Sequence, residues 1–349
     1  ENEPIYGYDE NAVDEGIAAY ASDDTVRVGD WSYTIYDTGE YVLNGYYGSD
    51  SSITLPETLD GHNMTKVTFM INRLPDTVKE VTVPKTYTEI CNSAFEYSKI
   101  EKINLSQDSI LTRIGNEAFY NTPITEFVMP GNLLEIGRDA FVNTLLKKVT
   151  FNDKIQPFQT TTNLISGNDR FSKTTHFNPF AAVPTGLELV VSDSCQNYKL
   201  VDGALLSKDG TILYAQLSNL KGGTYTVPDG VQIIGAYAMS LNNSFSNINL
   251  PNSVTTLEDY CLSDTAIQSL QMPDSVVHVQ RGICEDCVNL TTLKISDNLE
   301  ELGEMAGWED FYGCTSLTDV TLGSKLRVIG NASFAETNIR SIHIPDSVE

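Results

Sequence analysis

Tryptophan is almost missing from this chain: Trp31 and Trp308 are the only two in 349 residues. Sugar-cleaving sites want aromatic platforms beside a pair of carboxylates across a cleft, so a carbohydrate-active enzyme is disfavoured although acids abound. Histidine is nearly as scarce, and His62, His176, His278 and His343 fall in separate parts of the chain. That scatter argues against a nucleophile, base and orienting group meeting in a triad. Basic residues are few, 22 Lys and Arg against 47 Asp and Glu, for a formal charge of -25. Such a surface repels phosphate backbones and anionic lipid, which excludes nucleic-acid binding and electrostatic membrane docking. No apolar run approaches the ~20 residues that span a bilayer, and no signal peptide is visible. Neither a Gly-rich phosphate loop nor a D-x-[DN]-x-[DN]-G calcium loop occurs. The acidic residues therefore read as a solvated surface, and no metal or cofactor is expected.

What the chain has instead is one short phrase, repeated. Val78-x-x-Val81-x-Val83, Ile100-x-x-Ile103-x-Leu105, Ile124-x-x-Phe127-x-Met129 and Leu146-x-x-Val149-x-Phe151 form a first block. Phe245-x-x-Ile248, Ile267-x-x-Leu270, Leu290-x-x-Leu293, Leu317-x-x-Val320 and Ile339-x-x-Ile342 form a second. The middle positions Val81, Ile103, Phe127 and Val149 lie 22, 24 and 22 residues apart; Ile248, Leu270, Leu293, Val320 and Ile342 lie 22, 23, 27 and 22 apart. A fixed period of this size marks a solenoid whose units stack and touch only their neighbours. Alternating apolar positions make the phrase a strand with one buried face. A turn and a shorter apolar pair follow, often with Gly, which lets the chain turn sharply. An Ala-Phe pair then closes the unit, with Phe95, Phe119, Phe141, Met239, Phe311 and Phe334 in one slot. The expected fold is an α/β repeat solenoid, leucine-rich-repeat-like, mostly β with short helical turns at the Ala-Phe slot and coils of ~23 residues.

Around the blocks the pattern changes. Residues 1–24, with eight acids and no base, read as a flexible leader. Residues 25–62 read as a β-hairpin cap, with Trp31–Tyr36 and Tyr41–Tyr46 flanking a Gly-containing turn. Eight of the 17 tyrosines lie in the first 47 residues; packing of the cap explains them better than a sugar site. Block one covers 63–151. Residues 152–230 form an irregular insertion with a partial repeat and a hairpin at 198–217, where Asp209-Gly210 favours a type I′ turn. Block two covers 231–349 and stops in mid-repeat at Asp346–Glu349, with an extra insert around Glu304–Trp308.

The phrases Pro273-Asp-Ser-Val276, Ile114-Gly-Asn-Glu-Ala-Phe119 and Tyr312-Gly-Cys-Thr-Ser-Leu-Thr-Asp-Val-Thr-Leu322 resemble the BspA-type leucine-rich repeat of bacterial surface proteins. The Val201–Gly210 hairpin is similar to inserts common in that family. The likeness covers about residues 64–349, with Pro or a polar residue where the common leucine-rich pattern has its Asn ladder. It implies a secreted or cell-anchored protein, some of whose relatives adhere to matrix proteins. It carries over no functional residues.

Cys284-Glu-Asp-Cys287 is compatible with a redox pair or half a zinc site. The register points elsewhere: Cys284 takes the Phe slot, and Cys287 the position three further on, held in other units by Ser98, Thr122, Thr144, Thr265, Cys314 and Thr337. Cys287 and Cys314 are thus expected to be free, buried packing residues. What remains is surface. Outward columns of the stacked strands read Asn104, Val128, Thr150, Asn249, Gln271, Lys294, Thr321 and His343, and beside them Lys102, Glu126 and Lys148, continuing through Asn247, Ser269, Thr292, Asp319 and Ser341. These columns are the candidate binding surface; Trp308 and the loop bearing Phe158, Phe171 and Phe177 are the hot-spot candidates, although packing against the array explains each of these aromatics better. The expected role is non-enzymatic: an exported or cell-surface module, monomeric, that contacts host or bacterial surface proteins. A structural spacer displaying another domain is the alternative, and a glycan-binding module the third.

Overall fold

The computed structural model describes residues 25–36, 38–157, 176–181, 183, 186–303 and 310–349. The acidic leader 1–24, Phe158, Phe171 and Trp308 with its insert lie outside the described residues. Within them the chain is a β-solenoid. Each coil contributes three sides: a longer strand, a two-residue strand, and a run of tight turns.

The longer strands are the repeated phrases. Glu80–Val83 pairs in parallel with Lys102–Leu105, and Glu126–Met129 with Lys148–Phe151, so that Val81 faces Ile103 and Phe127 faces Val149. Ser269–Gln271, Thr292–Lys294 and Asp319–Thr321 stack likewise. Alternation buries the middle residue and turns its neighbours outward. The stack begins earlier than the phrase suggests, because Ser52–Thr54 already pairs with Glu80–Val83. It also stops earlier: the copy at 339–344 is not a strand, and Ile344 is exposed.

The turn side corrects the expectation of short helical turns, since no helix occurs among the described residues. Alternate amides take different partners. Ala94, Glu96 and Ser98 donate back to Cys91, Ser93 and Phe95 at 3.3, 3.3 and 3.0 Å. Ser93, Phe95 and Tyr97 donate to Asn116, Ala118 and Tyr120 of the next coil at 2.8, 2.8 and 2.9 Å. A helix would return every amide to its own chain; here every second one crosses between coils. The geometry requires left-handed residues four apart, and Ser93/Tyr97, Glu117/Asn121 and Asp139/Asn143 all have φ of 50–57°. The side chain between them points inward, which builds the stack Phe69, Phe95, Phe119, Phe141 and Phe180 with ring centroids 5.4–6.0 Å apart.

The Gly after the short strand also has a different cause from the one expected. Gly115 and Gly137 do not have positive φ. They are needed because the backbone of the preceding coil lies against them: a Cβ on Gly137 would sit 2.2 Å from the Asn116 nitrogen.

Two antiparallel meanders flank the first block. At the N-terminus Thr25–Val28, Trp31–Ile35 and Tyr41–Tyr46 form one, and its last strand joins Lys66–Val67 in parallel. Its aromatics pack among themselves: Trp31 on Tyr46 at 4.6 Å and Tyr41 flat on His62 at 4.0 Å. The second comprises Tyr198–Val201, Ala204–Ser207 and Ile212–Gln216, whose last strand joins Ile233–Ile234. The turn with two left-handed residues is Asp202-Gly203, at φ 49° and 80°. At Asp209-Gly210 only Gly210 is left-handed, so the expected type I′ turn sits one hairpin earlier. Asp209 instead organises a wider turn, accepting from the Thr211 backbone at 3.0 Å and from Ser207 Oγ at 2.6 Å. Those donors hold its carboxyl at about 2.

Candidate interaction surface

The strand registers bring the outward columns together as parallel pairing requires. Lys102 stands beside Glu80 and Asn104 beside Thr82; Glu126 faces Lys148 and Val128 faces Thr150. In block two, Gln271, Lys294 and Thr321 share one row, and Asn249 donates to Thr226 Oγ1 at 3.2 Å. His343 is exposed in the last coil, which contributes no strand.

The two blocks differ in charge. In block one the paired residues carry opposite charge: Glu80 beside Lys102, and Lys148 between Glu126 and Glu188. Lys102 Nζ lies 2.7 Å from Glu80 Oε1, and Asn104 donates to the same oxygen at 2.8 Å. Lys102 first, then Asn104, hold the Glu80 carboxyl below its usual range. On the short-strand side a second ladder runs Glu40–Lys66 (2.9 Å), Lys66–Glu89 (3.2 Å), Arg113–Glu89 (2.5 Å) and Arg113–Glu135 (3.1 Å). Charges that neutralise one another across coils fix the stacking register and leave little to offer a partner.

The turn side is different. Arg73 lies over the Tyr97 ring at 5.1 Å, and Tyr97 meets Tyr120 edge-on at 5.6 Å. Met70, Ile71 and Tyr97 are 37%, 69% and 43% exposed. Arg and Tyr are the side chains that dominate binding energy at protein interfaces, and on this strip they stand in solvent with aliphatic neighbours. The sequence reading missed it, although the signal was present: aligned on the Phe slot, Ile71 and Tyr97 each fall two residues after Phe69 and Phe95. Phe177 takes the packed alternative and not the hot-spot one: it is buried, its ring edge-on to Tyr237 at 5.7 Å and its backbone bridged to Ala236.

The chemistry-bearing residues are placed for packing. All six cysteines are free and buried. Cys287 Sγ donates to the Leu262 carbonyl and Cys314 Sγ to the Cys284 carbonyl, both at 3.1 Å. Burial pushes the Cys261 and Cys284 thiols well up, and Cys91 to about 12. The hydrogen bond between Cys284 and Cys287 shares their protons unequally, with Cys287 the lower of the two; as a pair, burial holds them protonated. His176 Nδ1 lies 2.7 Å from Glu258, a half-buried contact between residues 82 apart that ties the insertion to block two. No His, Cys, Asp and Glu group suited to a metal occurs among the described residues.

Asp310 stands apart. It is fully buried and neither oxygen accepts a hydrogen bond of normal geometry. Burial, chiefly, pushes its carboxyl up to about 7; the nearby Gly282 amide offsets part of this and Asp259 adds to it. A folded-state pKa above the unfolded one stabilises the protein at low pH, and that contribution is lost as pH rises from about 4 to about 7. Asp310→Asn should therefore gain about 2–4 kcal/mol relative to the unaltered chain between pH 4 and pH 8. Denaturant unfolding at several pH values measures this, and a constant difference across the range would show that Asp310 is solvated.

An all-β stack of ~23-residue coils with a slot for one large apolar residue per coil defines a leucine-rich repeat solenoid. The region description "BspA type leucine rich repeat region" matches six copies over residues 47–164 and 213–309. The chain belongs to this family. No curated protein matches it. Among solved structures it is similar to a leucine-rich repeat protein from Eubacterium ventriosum, at 19% identity and TM-score 0.64, covering 92% of this chain and 90% of that one. It is also similar to the pneumococcal vaccine antigen PcpA, at 17% identity and TM-score 0.53, covering 93% and 92%. Both likenesses are of fold.

Proposed function

We propose that this chain is a non-enzymatic recognition module of a bacterial surface or secreted protein, which adheres to host, matrix or bacterial surface proteins. The observation that carries the reading is the strip Arg73, Tyr97 and Tyr120 with Met70 and Ile71: an Arg and two Tyr rings in mutual contact beside exposed aliphatic side chains. The strand columns through Asn249, Gln271, Lys294 and Thr321 supply a second, broad polar face in block two. The family's association with bacterial surfaces supports the location, and no described helix is long and apolar enough to cross a membrane. The alternative, a spacer, draws on the self-compensated charge rows of block one.

Binding of the chain to immobilised matrix and epithelial surface proteins tests this. Arg73→Ala with Tyr97→Ala is expected to weaken the interaction at least about tenfold, near 1.4 kcal/mol. Lys148→Ala should change it little. Absence of any partner across such a panel sinks the recognition reading and favours the spacer.

A further inference from the structure

The two meanders are copies of one module in one register. In the first, Trp31 faces Tyr46, Ser32 faces Gly45 and Tyr33 faces Leu43, with the pairing shifted between Ser32 and Tyr33. In the second, Ala204 faces Gln216, Leu205 faces Ala215 and Leu206 faces Leu213, with the shift between Leu205 and Leu206. The bulged residue left over is Asn44 in one and Tyr214 in the other. The continuation matches as well: Leu43 pairs in parallel with Val67, and Leu213 with Ile234.

Superposed in this way, the module has two faces. The face toward its own following coils is apolar in both copies but for one place on the outer strand, where Val26 corresponds to Lys199: Val28, Tyr33 and Leu43 correspond to Val201, Leu206 and Leu213. The opposite face differs. In the first copy it carries Thr25, Arg27, Ser32 and Asn44, with Ser32 donating to Asn44 at 2.8 Å and Arg27 over Tyr47. In the second copy those places hold Tyr198, Leu200, Leu205 and Tyr214, and all four pack in the core of block one. The hydrophobic core of the molecule is accordingly in two parts, and they meet at this sheet. Among the described residues both strand ladders are interrupted there, whereas inside a unit only one lapses at a time, as the longer-strand ladder does between Lys102–Leu105 and Glu126–Met129. The short-strand sheet of block one ends at Glu135–Ile136 and the next begins at Tyr198, while Glu188–Val190 does not pair with Gly223–Thr226. The Phe177–Ala236 bridge, with Asn178 bonded to Ala236 and Tyr237, crosses on the turn side.

We infer that the chain is a tandem of two capped repeat units, in which residues 198–217 are the N-terminal cap of the second unit, with an outer face made apolar so that it docks on the end of the first. The hairpin is thus a joint rather than a loop inserted into one continuous stack. Stacked repeats couple through nearest-neighbour interfaces, and this interface has side-chain burial but little backbone ladder, so the two units open separately.

Hydrogen exchange of the full chain in mild denaturant tests this. Phe127→Ala is expected to raise the opening of amides in 80–151 about a hundredfold or more, with those in 245–322 changing less than about threefold. Leu270→Ala should give the reverse. Leu205→Ser, which restores the residue that the first copy carries at Ser32, should raise opening in unit one more than in unit two, because unit one loses its cover. If Phe127→Ala and Leu270→Ala each loosen both halves equally, the chain is one cooperative stack and the inference falls. If Leu205→Ser leaves both halves unchanged, the second meander is not the joint.

Discussion

Phe119→Ala is expected to lower stability by about 3–5 kcal/mol, the upper range for a buried aromatic. Phe119 lies between Phe95 and Phe141, with centroids 5.4 and 5.5 Å away and rings within 12° of parallel, and Phe127 meets it edge-on at 5.6 Å. Its neighbours cannot close the gap. Each is carried on a coil whose height is set by backbone bonds on the short-strand and turn sides, so a cavity made here stays open. The measurement is the denaturant midpoint of the variant against the unaltered chain. A loss below about 1 kcal/mol would mean that the coils slide to refill the space.

Gly137→Ala should be nearly as damaging for the opposite reason. The added Cβ meets the Asn116 nitrogen at 2.2 Å and the Gly115 carbonyl carbon at 2.4 Å. Both are backbone, so no side chain can swing away. Overpacking of this kind costs about 1–3 kcal/mol when side chains yield, and the upper end applies where backbone must move. The same coil spacing also holds Asn116 Oδ1 on the Arg138 amide at 2.9 Å. The loss should therefore appear as faster exchange at Arg138 as well as a lower midpoint; an unchanged midpoint would show that coils 22 residues apart tolerate separation.

The repeat period, the buried middle residue of each phrase and the Phe slot were legible because each reports a property that recurs in every coil. The packing role of Cys287 and Cys314 followed from that register alone. What failed was local. Ala-Phe in a short turn reads as helix from its own residues, and only the neighbouring coil shows that Ser93, Phe95 and Tyr97 send their amides elsewhere. The Gly after the short strand was read as a turn residue, but the reason for Gly137 lies 22 residues back in the chain, at Gly115 and Asn116. The likeness between the two meanders was hidden most completely. Ser32 and Leu205, or Asn44 and Tyr214, share a place in a register and nothing in chemistry. The strip at Tyr97 was within reach of the aligned units but fell outside the strand columns, where outward residues are simplest to enumerate.

The direction of the bonds between coils has a mechanical consequence. Both strand ladders and the crossing amides of the turn side run along the solenoid axis. Tension along that axis loads the coil interfaces in series and peels each one open, instead of shearing many bonds at once. Each coil that yields frees ~23 residues, about 75 Å of extended chain. With both strand ladders interrupted at the meander Tyr198–Gln216 among the described residues, a stretched molecule would lengthen first at its middle, and the coils of either unit would follow as a reserve of length under load.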